Sequence, residues 1–295
     1  MRFYNLATIF LAFNWMSSQS FTPFPESYNR LVQGVSFTPD GSVLFCTLPF
    51  RERGEAKGIG MASHMPRLAI YRSTLENGSW GEPKLLEFSG QYEDYEPTLS
   101  PNGELLFFNS DRPLKDDQKV QKNSIWFSEL EQGIWKEPQP LMIINRADTE
   151  QSYPTISRKG KLIYCKEVVM DGKSGFFLFE THFTGSYTEV GRKISFSNFD
   201  GNTSDPWLSP NEDYLIFTGF NVDDWPGTCD LYISFFWKDQ WNEPIGLKEL
   251  NSEGPDFSPT ISPDGKWIYY RKNYEFIKFP FRKLLKKYRR INKHP

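Results

Sequence analysis

The side chains best placed for chemistry are acids that stand directly before proline: Glu96 before Pro97 and Asp205 before Pro206. They belong to four acid-bearing stretches, Glu93, Asp94 and Glu96; Asp148 and Glu150; Asp200 and Asp205; Glu253 and Asp256. Grouped carboxylates attract cations and hydroxyl-rich groups, and a pair of them flanking a sugar performs the acid and base steps of glycoside hydrolysis. The same residues also cap turns and solvate loop ends, which is the structural use of acids at such positions. Between Asp200 and Asp205 the oxygen-bearing residues Asp200, Asn202 and Asp205 form a weak candidate for Ca²⁺, but the bidentate Glu of a calcium loop is missing. An Asx-rich turn is the simpler reading, and no cofactor is expected. His64, His182 and His294 are scattered, and Cys46, Cys165 and Cys229 form no CxxC pair, so neither a zinc site nor a disulfide framework is indicated. GxSxG, HExxH and a phosphate-binding glycine loop are absent from the sequence.

The elements that position these acids come from a phrase read five times: VSFTPDGSVLFCT, PTLSPNGELLFFNS, PTISRKGKLIYCKE, PWLSPNEDYLIFTG and PTISPDGKWIYYRK. Measured at Pro39, Pro101, Arg158, Pro210 and Pro263, the steps are 62, 57, 52 and 53 residues. Each phrase alternates apolar residues, turns at a Pro-Asp/Asn-Gly type corner and alternates again, which predicts a hairpin. Glu212 and Asp213 replace the glycine in the fourth copy. A second hairpin follows the first four copies: IYRSTLENGSWGEP, IWFSELEQGIWKEP, FLFETHFTGSYTEV and LYISFFWKDQWNEP. Two hairpins make a four-stranded antiparallel blade, with strands A to D. Such blades bury their faces only when stacked around an axis, so the chain is expected to be all-β, a closed propeller of about five blades. The expected blades are 26–88, 89–142, 143–191, 192–248 and 249–279. The fifth copy lacks a fourth strand, and Phe21 to Pro25 is the spare extended segment expected to supply it. The recurring tryptophans Trp80, Trp135 and Trp241 are expected between blades.

These phrases, SPDG-type corners, an IY or LY strand and a WxEP ending, resemble TolB-like, WD-repeat-like β-propeller proteins of bacterial envelopes across roughly residues 26–290. The resemblance implies an envelope protein that binds a protein, peptide or glycan partner without catalysis. The alternative is a glycoside hydrolase acting through acids in the central funnel. Blade topology puts the B–C loops and the D–A crossings on one face. The B–C loops are long and unlike one another, as binding loops on a rigid scaffold tend to be. The expected ligand site therefore gathers Glu96, Asp205 and Asp256 with Arg51, Arg53, Arg112 and Trp225 from those loops.

The two ends differ from the body. Residues 1–20 carry one charge, Arg2, then an apolar run from Leu6 to Met16 and small Ser17, Ser18 and Ser20. That is the pattern of a signal peptide cleaved near Ser20, leaving a periplasmic or secreted monomer without a transmembrane span. Residues 1–277 hold 26 basic and 37 acidic side chains, a net −11, while Lys278 to Pro295 hold eight basic and none acidic. So acidic a body is unsuited to nucleic acid. The tail from about Pro280 to Ile291 places Phe281, Leu284, Leu285, Tyr288 and Ile291 on one face, predicting a helix docked on the propeller.

Overall fold

The computed structural model describes residues 19–20, 31–50, 67–114, 123–141, 149–170, 173–185, 190–220 and 229–292. They form five small antiparallel sheets arranged as a five-bladed propeller, with one helix at the C-terminal end. The innermost strands are Gln33–Phe37, Asp94–Leu99, Gln151–Ile156, Asn202–Leu208 and Asp256–Ile261, and each contacts its counterparts in the neighbouring blades. Second strands follow at Val43–Phe50, Leu105–Ser110, Lys161–Met170, Tyr214–Phe220 and Trp267–Lys272. Third strands run at Arg67–Glu76, Ser124–Glu131, Lys173–His182, Cys229–Trp237 and Glu275–Pro280.

The WxEP ending explains the outer strands of blades 1, 2 and 4. In blade 1, Ser79–Trp80 and Lys84–Leu85 both pair with the third strand but are separated by Glu82-Pro83. Proline has no N–H to give the ladder and so breaks the edge. The tryptophans pack across blade boundaries: Trp135 of blade 2 sits edge-on to Phe45 of blade 1 at 5.7 Å, and Trp80 of blade 1 joins the cluster that contains Tyr269 of blade 5.

The A–B corners are stapled alike. A leading Ser or Thr hydroxyl accepts the N–H five residues on, as in Val43 to Thr38 (3.0 Å), Leu105 to Ser100 (2.9 Å), Tyr214 to Ser209 (3.1 Å) and Trp267 to Ser262 (3.0 Å). In the third blade the SRKG corner is tighter by one residue, Lys161 donating to Ser157 at 3.0 Å.

Closure differs from the sequence expectation in one detail. The fourth strand of the last blade is Gln19–Ser20, paired with Lys278 and Ile277, whereas Phe21 to Pro25 lie outside the described residues. The cleavage near Ser20 expected from the sequence would remove this strand. The helix spans Phe281–Ile291 with Pro280 at its N-cap and buries Phe281, Leu284 and Tyr288 against blades 4 and 5. Ile291, in the last turn at the edge of that stripe, is instead 49% exposed. Among the described residues no helix is long and apolar enough to cross a membrane.

Two stability outcomes are expected. A chain beginning at Phe21 melts a few degrees below one beginning at Gln19, since one or two ladder hydrogen bonds are worth about 1–2 kcal/mol in a domain of this size; paired thermal melts check this. Leu284→Ala costs about 2–5 kcal/mol in denaturant unfolding, the loss for emptying a buried leucine site.

Candidate functional site

Every innermost strand is interrupted at the same place. The pairing register slips between Gln33 and Val35, Tyr95 and Thr98, Ser152 and Thr155, Ser204 and Trp207, and Phe257 and Thr260. At each slip one residue takes a left-handed backbone: Gly34 (φ 46°), Glu96 (52°), Tyr153 (53°), Asp205 (45°) and Ser258 (55°). Four of the five precede proline, whose missing N–H suits a position outside the ladder. Left-handed φ costs a non-glycine residue of order 1 kcal/mol or more, so the neighbouring blades must hold these bulges in place. Glu96 N–H donates to Thr47 Oγ1 of blade 1 at 2.9 Å, and Tyr153 N–H to Asn109 Oδ1 of blade 2 at 2.8 Å. From blade 5, the Arg271 guanidinium donates to the Val32 carbonyl of blade 1.

The bulge turns these side chains toward the axis, where Glu96, Tyr153, Asp205 and Ser258 line a cavity of about 230 Å³. Blade 1 offers no side chain to the ring. A Cβ on Gly34 would collide with the Glu96 carboxylate and lie 2.9 Å from its Cα, so Glu96 occupies the space that blade 1 leaves. From there it reaches blade 5, where Ser258 Oγ donates to Glu96 Oε2 at 3.0 Å. Asp205 Oδ2 accepts from Ser204 Oγ at 2.6 Å.

Neither carboxylate forms an ion pair among the described residues. Burial, reinforced by the charge of Asp205, pushes Glu96 up to about 8 despite the Ser258 hydrogen bond and the nearby Arg271. Burial likewise pushes Asp205 up to about 6. At neutral pH Glu96 holds its proton for much of the time while Asp205 is mostly ionised. From this ring the cavity runs along Phe37, Trp207 and Tyr214 to Pro39, Pro101, Arg158, Pro210 and Pro263, which belong to the A–B corners. The two acids thus form the floor of a cavity bounded at its other end by the A–B corners, on the face opposite the B–C loops.

The remaining expected site residues are placed differently. Arg112 is buried and engaged with Asp94, at 2.7 Å (Nη1 to Oδ1) and 3.0 Å (Nη2 to Oδ2), and also donates to the Phe88 carbonyl at 2.6 Å. Ser89 and Ser110 complete the coordination of Asp94 at 2.8 Å each. Asp256 is buried and accepts from the Ser252 N–H and hydroxyl at 2.5 and 2.8 Å, tying down the crossing before it. Neither Arg112 nor Asp256 lines the cavity. Arg51, Arg53 and Trp225 lie outside the described residues. Within the Asp200–Asp205 stretch, Asn202 Oδ1 accepts the Phe176 N–H at 2.8 Å while Asp205 faces the axis. Among the described residues no three His, Cys, Asp or Glu side chains group as a metal site. Tyr153, Ser258 and Gly34 escaped the sequence reading. Their signal was the register shared with Glu96 and Asp205: YPTIS and SPTIS beside EPTLS and DPWLS.

Scanned against protein-family models and against curated proteins, the sequence matches none. Among solved structures the chain is similar to a protein of unknown function from Dyadobacter fermentans, with a TM-score of 0.53 and 11% identity over 86% of this chain and 80% of that one. It is similar also to an endo-arabinase from Bacteroides thetaiotaomicron, at 0.52 and 15% over 89% and 98%. A TolB structure from Agrobacterium tumefaciens aligns at 0.51 and 14% over 81% and 69%, and this chain spans 54% of the TolB from Acinetobacter baumannii. Identities this low carry the architecture and leave activity aside. In fold, the chain is a TolB-like five-bladed β-propeller.

Proposed function

We propose that this chain is an exported, non-enzymatic binding propeller that seats a cationic or hydroxyl-rich group of a protein, peptide or glycan partner on Glu96 and Asp205. The observation that carries this reading is a pair of carboxylates from blades 2 and 4, free of ion pairs among the described residues, on the floor of one small cavity. Desolvated charge of one sign attracts its complement far more strongly than the same charge in water. Proline and aromatic side chains form the walls, and the polar floor would orient what enters.

A second reading rests on the same pair. A carboxyl that keeps its proton near neutrality beside one that is ionised is the division of labour of a glycoside hydrolase. What supports it is that both carboxyls line one cavity, where burial and the neighbouring Asp205 charge raise Glu96.

Both readings meet in the Glu96→Gln/Asp205→Asn variant. A glycan array and a peptide library rich in Lys and Arg are probed with wild type and variant. Binding is expected to fall at least tenfold with the fold intact by circular dichroism; undiminished binding would overturn the binding assignment. Release of nitrophenol from aryl glycosides by wild type, abolished by Glu96→Gln alone, would move the assignment to the hydrolase.

The acids also set a pH dependence. Because Glu96 is raised from 4.5 to about 8, the folded state holds a proton that the unfolded chain releases over that window, so this residue's contribution to stability falls as pH rises from about 5 to 8. The difference in melting temperature between Glu96→Gln and wild type is therefore expected to widen with pH in favour of the variant. A pH-independent difference would show that the carboxyl does not titrate there. Affinity for a cationic probe rises with pH through about 6, as Asp205 ionises.

A further inference from the structure

The C-terminal helix docks by one face only. Phe281, Leu284 and Tyr288 are buried. On its flanks Lys287 pairs with Glu249, Arg289 pairs with Asp213, and Arg282 donates to the Asp264 carbonyl at 2.9 Å. The face opposite the buried one carries Lys283, Lys286 and Arg290, spaced i, i+3 and i+7 and therefore in one stripe. All three are exposed, and none is paired with an acid among the described residues. The helix itself contains no acid. Like charges on successive turns repel, yet the propeller acids that pair with the helix, Glu249 and Asp213, serve its flanks. Among the described residues no acid pairs with this stripe, which leaves it open to an anionic surface.

We propose that the stripe Lys283, Lys286, Arg290 is a docking surface for an anionic phospholipid bilayer. The proposal goes beyond the cavity's function and does not depend on it. An eleven-residue helix is about 16 Å long and convex, a shape that meets a plane of phosphates along its length and offers no groove to a peptide segment. The apolar face that would let an amphipathic helix sink into lipid is already used against blades 4 and 5. Association is therefore electrostatic and peripheral, reversible by salt, and without insertion. The helix also sets the orientation of the contact. Phe281 N–H donates to the Lys266 carbonyl of the blade 5 corner at 2.7 Å, and the Phe281 ring packs 5.9 Å from Tyr214, a cavity-lining residue. A bilayer on the stripe thus lies beside the A–B corners that surround the cavity.

The test is co-sedimentation of the full chain with vesicles of phosphatidylcholine, with and without phosphatidylglycerol. Wild type is expected to prefer the anionic vesicles by on the order of 100-fold for three basic residues at the surface, and to release at about 0.5 M salt, where the screening length shortens to a few ångström. Lys283→Glu/Lys286→Glu/Arg290→Glu should abolish the preference, and the same three changed to Gln should weaken it, with melting temperatures near wild type. Lys84→Glu/Lys173→Glu/Lys238→Glu applies the same change in net charge to exposed lysines elsewhere and should leave the preference intact. Equal binding to neutral and anionic vesicles, retention in the stripe variants, or equal loss in the control variant would each overturn the proposal. Failure to bind any vesicle, with an acidic protein captured through the stripe, would overturn it in favour of a protein partner.

Discussion

Five wedge-shaped sheets around one axis leave their innermost strands crowded against each other, and everything else in this molecule follows from how that crowding is relieved. Each innermost strand steps out of register by a bulge, and the N–H groups freed at the bulges of blades 2 and 3 are taken up by side chains of the preceding blade, Thr47 and Asn109. Another N–H crosses the seam between blades 1 and 2, Leu99 to Ser36 Oγ at 2.9 Å, and one crosses the seam between blades 3 and 4, Leu208 to Thr155 Oγ1 at 3.1 Å. A blade therefore depends on its neighbour for backbone satisfaction as well as for burial, since an unpaired buried N–H costs more than its bond is worth. That dependence ties the left-handed residues at the axis to the integrity of the whole ring.

The ring of bulges is also what makes a site. A regular strand would alternate its side chains between the two faces of its own blade, and none would point along the strand plane toward the axis. The bulge supplies the missing direction. Because blade 1 has glycine where the others carry a side chain, the fivefold arrangement is broken at one point, and Glu96 extends through the gap to Ser258. An asymmetric floor results, with carboxylates from blades 2 and 4, a phenol from blade 3 and a hydroxyl from blade 5. Asymmetry of this sort is what distinguishes a recognition surface from a repeated packing motif.

The same residue types serve both structure and recognition here, and their surroundings decide which. Asp94 and Glu96 are two positions apart, yet Asp94 is saturated by Arg112, Ser89 and Ser110, whereas Glu96 accepts from Ser258 and lines the cavity. Arg112 lies against the rings of Phe88, Tyr92, Phe108 and Trp126 at 5.2–5.8 Å, where a charged group is stable only because its carboxylate partner is buried with it. Replacing one partner would strand the other.

Repetition made the architecture legible in the sequence: five corners at near-constant spacing, each followed by alternating apolar residues, specify hairpins, and hairpins with two apolar faces have to close on themselves. The helix was legible for the same reason, since the 3.6-residue period of Phe281, Leu284 and Tyr288 is local. Glu96 and Asp205 were legible as acids before proline in matching repeats. What the tertiary structure decided was direction and partnership. Whether an acid on a crossing faces the axis or a turn depends on a one-residue bulge, and Asp256 and Glu96 look alike until that bulge is seen. Burial of Arg112 depends on a carboxylate 18 residues away and on four rings brought around it by the fold, and the collision that reserves Gly34 for Glu96 joins residues of different blades. Such contacts have no period and no local signature, because they arise only when segments distant in sequence are packed against one another.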